Sequence, residues 1–332
     1  MMIKTKGDLL NIKGVCKFLK THDDFCILSH ASPDGDTLGC AAALCMGLRN
    51  IGKKCFVMCS DEIPEKYSYF FDNSLLKKQE YKTVIAVDIA TEQLLGDLEE
   101  QFAGKVDLCI DHHISNTRYA KNLYLDSGAA AACESVFDII KAMKWQITTK
   151  MASALYTGIS TDTGSFKYAS VTAKTHKIAA ELYGYNIEAH KIAKEMFDTK
   201  SKQFLQLERM ILDSSKFYFE DRCFVLAVTL DMLEETGCSE SELESIASIS
   251  RCVKGVLAGV TIKQRSEKVF KISLRTYDPL DASKICMSLG GGGHRAAAGC
   301  TLEGTLEEVR EKVLGAIKNA LEDENAGISA YQ

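Results

Sequence analysis

Four short apolar runs rich in strand-forming residues alternate with helix-length segments in the first half of the chain: FCILSH at 25–30, KCFVMC at 54–59, TVIAVD at 83–88 and VDLCID at 106–111. Strand-length runs separated by helical stretches predict an α/β unit, a mostly parallel sheet flanked by helices. Ligands of such sheets collect beyond the carboxyl ends of the strands. Three of the four runs end there on a polar residue, His30, Asp88 and Asp111, so an imidazole and two carboxylates converge on one edge. Helical periodicity follows in ACESVFDIIKAM (132–143) and KMASALYTGIS (150–160), and the polar turn TDTGSF then places Asp162 just beyond a helix end.

The stretch 186–214 is charged and reads as one linker helix. Beyond it, 216–229, 253–264 and 268–277 read as strands around a helical 239–249, and an amphipathic helix from Thr305 to Leu321 closes the chain. A length of 332 residues is more than one core comfortably supports and suggests about two domains. The expected organisation is an α/β domain over 1–185, the linker helix over 186–214, and a smaller α+β domain over 215–332.

A net charge of −5 argues against long duplex DNA as a partner, because backbone binding needs many cationic side chains. Short single-stranded oligonucleotides and nucleotides stay open, since a bound metal can supply the positive charge. The thirteen cysteines are odd in number, form no CxxC pair, and include Cys26, Cys45 and Cys109 inside apolar runs; they read as buried, reduced thiols. The first residues lack the apolar core of a signal peptide, and no run of about 18 apolar residues predicts a membrane span. A cytoplasmic location without membrane attachment is expected.

HASPDGD (30–36) puts His30, Asp34 and Asp36 in one turn-rich loop, bent by Pro33 and Gly35. Crowded carboxylates repel or protonate unless a divalent cation joins them, which turns the crowding into binding. A structural role is also open, with Asp34-Gly35 as a turn and Asp36 capping a helix that starts near Thr37. DHH at 111–113 shifts the balance, because an acid and two imidazoles are costly to bury unless they bind something or one another. Four of the seven histidines, His30, His112, His113 and His294, fall in such polar segments. The Ala-rich 129–132 reads as helix and core packing.

In order, HASPDGD, IAVD, DHH and TDTGSF resemble the successive motifs of the DHH phosphoesterase superfamily. The late GGGGHRAAAG (290–299) resembles its associated C-terminal substrate domain, so the likeness covers nearly the whole chain. Length and the GGGGH segment are most similar to the bifunctional oligoribonucleases that degrade very short RNAs and dephosphorylate 3′-phosphoadenosine 5′-phosphate (pAp). The resemblance implies two divalent cations, one held by His30, Asp34 and Asp88, the other by Asp36, Asp88, His112 and Asp162, with Asp88 bridging. Mixed imidazole and carboxylate ligands suit Mn²⁺, with Mg²⁺ as the alternative.

The resemblance further implies that Asp111 orients a histidine or the loop and that His113 contacts phosphate or protonates the leaving oxygen. Substrate would be held by Gly291, Gly292, Gly293, His294 and Arg295, together with Arg275 and Asn116. Bland readings exist for several: a backbone-bonded histidine for His113, a tight turn for the glycines, and backbone bonding alone for Asn116. Cys40 departs from the pattern, which more usually has Ser there. The implied activity is metal-dependent 3′-5′ hydrolysis of very short oligonucleotides and of pAp. A linear or cyclic dinucleotide phosphodiesterase and a pyrophosphatase or polyphosphatase are the alternatives, and a homodimer is open.

Overall fold

The computed structural model describes residues 7–329 apart from 240, 241, 244, 245 and 251. The chain divides into two compact units, Met1–Thr199 and Lys200–Gln332.

The first unit is built on a six-stranded sheet of β1 (Asp8–Leu9), β2 (Phe25–Leu28), β3 (Cys55–Met58), β4 (Thr83–Val87), β5 (Leu108–Asp111) and β6 (Asn122–Leu125). Their order is β1-β6-β5-β4-β2-β3, and every pair is parallel. The four apolar runs are β2 to β5. Strands β1 and β6 escape the sequence pattern because β1 has only two residues and β6 is mostly half-buried. The chain lays β3 on one side of β2 and then β4 on the other. That reversal opens a crevice at the carboxyl ends of β2 and β4, where ligands of parallel sheets bind.

Helices α1 (Ile12–Thr21), α2 (Gly35–Asn50), α3 (Glu99–Phe102), α4 (Ala132–Met143), α5 (Thr149–Asp162), α6 (Ala173–Tyr183) and α7 (Ala189–Ala193) complete the unit. The small residues of α2, GDTLGCAAALCMGL, are buried almost all round, and α5 packs closely against them. A Cβ on Gly39 would come within 2.5 Å of the Ala154 carbonyl, and one on Gly158 within 2.3 Å of Cys133 Sγ. Only hydrogen at those positions allows this approach. It brings the end of α5 to the crevice, where Asp162 is the last residue of the helix rather than a residue beyond it.

The expected single helix over 186–214 is replaced by α7, a π-helical turn (Lys194–Asp198) and α8 (Lys202–Ser214). Ser201 caps α8 by accepting the Phe204 N–H at 2.9 Å. Phe204, Leu207 and Ile211 on one face of α8 are buried with Phe224 and Leu226, so this helix belongs to the second unit's core and is not a solvated linker.

The second unit carries a mixed sheet of β7 (Lys216–Tyr218), β8 (Cys223–Val228), β9 (Ala258–Ser266), β10 (Val269–Thr276), β11 (Gly292–His294) and β12 (Ala297–Glu303), ordered β11-β12-β10-β9-β8-β7. Only the β8–β9 pair is parallel. Phe270, Ile272 and Leu274 alternate inward from β10 onto a core shared with α11 (Ala282–Ser288) and α12 (Leu306–Ser329). Between the strands lie α9 (Leu230–Thr236) and α10 (Ile246–Ile249); the helix expected over 239–249 falls partly on residues outside those described. Among the described residues no helix is long and apolar enough to cross a membrane. Cys26, Cys45 and Cys109 are buried free thiols, and Cys252 is exposed.

Candidate metal centre

The crevice is framed by the first turn of α2. The Thr37 hydroxyl accepts the His30 N–H (3.4 Å) and donates to the Val87 carbonyl (3.0 Å), tying this turn to the ends of β2 and β4. Asp34 is the cap of α2, its Oδ1 accepting the N–H groups of Asp36 (2.9 Å) and Thr37 (3.1 Å). Asp36 is therefore not a cap of its own helix. It points inward, where Oδ2 accepts the Ala132 N–H (2.6 Å) and Oδ1 the Cys133 N–H (2.9 Å) at the start of α4. The positive end of that helix favours an anion there.

Asp88 follows β4 in a left-handed backbone conformation (φ 58°), which aspartate tolerates better than most residues, and its N–H bonds the Ile110 carbonyl on β5 (2.9 Å). Its two oxygens face opposite neighbours: Oδ2 lies 3.9 Å from His30 Nε2, and Oδ1 lies 3.6 Å from His112 Nε2. His30 Nε2 is also 3.6 Å from Asp34 Oδ1, and His112 Nε2 is 3.5 Å from Asp162 Oδ2. Among the described residues four donor groups are close enough to share a cation: His30 with Asp34 and Asp88, Asp36 with His112 and Asp162, and, overlapping these, Asp88 with His112 and His113 and Asp36 with Cys40 and Cys133.

Backbone contacts decide which imidazole nitrogen each histidine offers. A carbonyl can only accept, so His30 Nδ1 donates to Ala31 (2.8 Å) and His112 Nδ1 donates to Ala129 (3.1 Å). In the neutral ring Nε2 is then a bare lone pair, aimed at the carboxylates in both cases. Asp88 Oδ1 and His112 Nε2 are buried without any hydrogen-bond partner. Two acceptors turned towards each other in the interior are unfavourable unless a cation lies between them. The donor set fits a divalent metal.

The electrostatics agree. Asp36 and Asp88 are 1% and 4% exposed. Burial first, then the charges of Asp36 and Asp34, push the Asp88 carboxyl well above the usual range, and the same two causes raise Asp162. Asp36 is raised by burial too. The site holds more negative charge than it can keep ionised without a counter-cation.

Residues 24–159 match the model of the DHH family, N-terminal domain, and residues 221–323 match the DHHA1 domain. The chain is 31% identical, over 89% of its own length and 89% of the relative's, to a Thermus thermophilus protein named bifunctional oligoribonuclease and PAP phosphatase NrnA. The chain belongs to the DHH family of phosphoesterases. Its fold is that of an exopolyphosphatase-related protein from Bacteroides fragilis, with a TM-score of 0.83 at 23% identity over 94% of this chain and 95% of that one. RecJ of Thermus thermophilus, described in complex with Mn²⁺, gives a TM-score of 0.53 at 13% identity over 95% of this chain and 56% of its own.

In this DHH phosphoesterase the motif's Asp111 is wholly buried at the end of β5 and collects four donors. Its Oδ1 accepts from His112 N–H (2.8 Å), His113 N–H (3.2 Å) and His113 Nδ1 (2.8 Å), and its Oδ2 from the Asn116 amide (2.6 Å). Burial raises its carboxyl, but His113 and Asn116 outweigh that and hold it below the usual range, so it stays ionised. The Asn116 amide also reaches the Ile89 carbonyl (3.3 Å), and its oxygen accepts the Arg118 N–H (2.8 Å). Asn116 thus supports Asp111 from inside the loop. His113, a third exposed, bonds Asp111 through Nδ1, which leaves Nε2 outside that bond.

Two contributors were missed in the sequence. The Ala-rich 129–132, read there as packing, supplies through its backbone the Ala129 carbonyl that orients His112 and the Ala132 N–H that holds Asp36. Composition carries no signal for such main-chain roles.

In the DHHA1 domain the glycine run follows α11. Gly290 is left-handed (φ 81°), and the N–H groups of Gly290 and Gly291 are taken by the Met287 (3.1 Å) and Cys286 (2.8 Å) carbonyls, so those two do not face an anion. A Cβ on Gly291 would lie 2.2 Å from the Gly299 carbonyl, and one on Gly293 2.6 Å from Ala298 Cα, whereas at Gly292 it would meet nothing within 4 Å. Strand register sets Arg275 opposite Ala297 and Ala297 opposite His294, one row across β10, β12 and β11. The His294 side chain lies outside what is described. Arg295 is exposed and pairs with Asp278 at 3.0 Å.

Proposed function

We propose that this DHH phosphoesterase removes nucleotides from the 3′ end of very short single-stranded oligonucleotides and takes the 3′-phosphate from pAp, using two divalent cations, Mn²⁺ first. The observation that carries the reading is the pair of orphaned buried atoms, Asp88 Oδ1 and His112 Nε2, between two groups of metal-type donors. His30, Asp34 and Asp88 would hold one cation, and Asp36, Asp88, His112 and Asp162 the other. When bound, the cations supply Lewis acidity towards the phosphoryl group and towards water.

The chain's own residues do the rest. Asp111 fixes the tautomer of His113, whose Nε2 would hold or deliver the proton needed by the leaving oxygen. Arg275 and His294, aligned by register, would grip the nucleotide end beside Gly292, with Gly291 and Gly293 shaping the strand and Arg295 at the rim. The substrate class follows the name of the Thermus relative, and a chain of charge −5 gives long strands little to hold.

The test is hydrolysis with Mn²⁺ of a ribodinucleotide, pAp, a 24-nucleotide strand and inorganic pyrophosphate. Turnover of the first two far above the others is expected. Equal rates on the dinucleotide and the long strand, or a preference for pyrophosphate, would overturn the reading.

A further inference from the structure

Lys174, the second residue of α6, sets its ammonium against three carboxylates from two other segments: Asp138 Oδ2 at 2.8 Å, Asp126 Oδ2 at 3.3 Å and Glu134 Oε2 at 4.0 Å. Glu134 and Asp138 lie one turn apart on α4, while Asp126 follows β6 at the entry of the connection to α4. Glu134 is wholly buried; burial raises its carboxyl, and Thr175, then the Lys174 ammonium, work against that rise.

The segment bracketed by these carboxylates, 126–133, is the one that orients two candidate metal ligands. At its entry the Asp126 N–H bonds the Asp111 carbonyl (3.0 Å), and the Asp126 carbonyl accepts the Ala129 N–H (3.0 Å). Ala129 in turn accepts from His112 Nδ1, and Ala132 and Cys133 donate to Asp36. His30, Asp34 and Asp88 are oriented instead by Ala31, by the first turn of α2 and by Ile110.

We infer that Lys174 is a positioning residue: by pairing with Asp126 and Asp138 beside the buried Glu134, it ties the 126–133 segment to α4 and α6 and thereby fixes the placement of Asp36 and His112. Without the ammonium three carboxylates face one another, one of them buried and uncompensated, which is strongly unfavourable. Glu134 can relieve its own charge by taking up a proton, but Asp126 at the entry of the connection then loses its tie to Asp138 on α4, and the connection carries the contacts to Asp36 and His112. The contacts run to Asp36 and His112 and not to His30 or Asp34, so the larger effect falls on one of the two ligand groups, and that difference separates positioning from general stabilisation.

The inference rests on the two-metal reading above, and calorimetric titration of Mn²⁺ into the metal-stripped full chain tests both separately. His112→Ala identifies the binding step that belongs to the Asp36–His112–Asp162 group. In K174M that step should weaken by about tenfold, as for other residues that support metal ligands, while the other step changes much less and K174R recovers most of the loss. Two wild-type steps that persist unchanged in K174M, or that weaken equally, overturn this inference alone; a wild-type chain that takes up no Mn²⁺ overturns the metal reading and this inference with it. Should K174M fail to fold, Asp126→Asn keeps the backbone contacts and removes the ion pair that ties the entry of the segment to Lys174. It should weaken the same step by a smaller factor, and unchanged affinity there overturns the inference.

Discussion

Asp88 Oδ1 and His112 Nε2 lie 3.6 Å apart, both buried and neither with a hydrogen-bond partner. Asp88→Asn keeps the shape of the side chain but replaces the carboxylate proposed to serve both cations by an amide that would do so poorly. Loss of several kcal/mol of charge stabilisation corresponds to a fall in kcat of roughly 10³-fold or more. The check is dinucleotide hydrolysis under saturating Mn²⁺, with circular dichroism to show that the fold is kept. Undiminished turnover would remove Asp88 from the mechanism.

The raised carboxyls of Asp36, Asp88 and Asp162 tie metal to pH. A carboxyl whose pKa is raised on folding stabilises the fold fully below its unfolded value, about 4, and that stability is lost as pH rises through the folded values. The EDTA-treated chain should therefore lose stability from about pH 4 upward, whereas Mn²⁺, which displaces the protons, should restore it. Melting curves with Mn²⁺ and with EDTA should thus diverge between about pH 5 and about pH 8. A gap independent of pH would contradict the crowding of these three acids.

Much of this site was legible in the sequence because its residues stand at the carboxyl ends of β2, β4 and β5, which the apolar runs mark. Neighbouring parallel strands do the converging, so the runs alone assign His30, Asp88 and Asp111 to one edge. Main-chain and long-range contacts were not legible. Nothing near Asp36 in the chain announces that its carboxylate accepts from Ala132 and Cys133, nearly a hundred residues away. Asn116 matched a motif, yet its amide is turned to Asp111 and Ile89. The expected linker helix failed for a local reason, since the Ser201 cap starts a new helix whose apolar face at Phe204, Leu207 and Ile211 belongs to the second core.

Gly158 tests how tightly Asp36 is held from the α5 side. A Cβ there would fall 2.8 Å from Asp36 Oδ1 and 2.3 Å from Cys133 Sγ, with both neighbours fixed by the start of α4. Gly158→Ala gains helix propensity but must displace one of them, at a cost of about 1–3 kcal/mol by analogy with overpacked cores. A lower melting temperature together with weaker Mn²⁺ binding is expected. A variant as stable as wild type with full metal affinity would show that α5 can shift away freely.

Gly291 and Gly292 are adjacent and should behave oppositely. Alanine at 291 would drive a methyl group to 2.2 Å from the Gly299 carbonyl and 2.4 Å from Cys300 Cβ, so β11 must part from β12. Gly291→Ala should therefore destabilise by roughly 1–3 kcal/mol, read from denaturant unfolding. At 292 the methyl group meets nothing, and the backbone is not among the left-handed glycines. The fold does not require glycine there, so a stability change within about 0.5 kcal/mol is expected for Gly292→Ala. If the run lets a nucleotide approach the backbone, this variant should instead raise KM for pAp and the dinucleotide severalfold, with kcat nearly kept, because the methyl group occupies space the ligand needs in ground state and transition state alike. Unchanged KM in Gly292→Ala would leave the glycine run a structural turn and move the nucleotide grip elsewhere in the second unit.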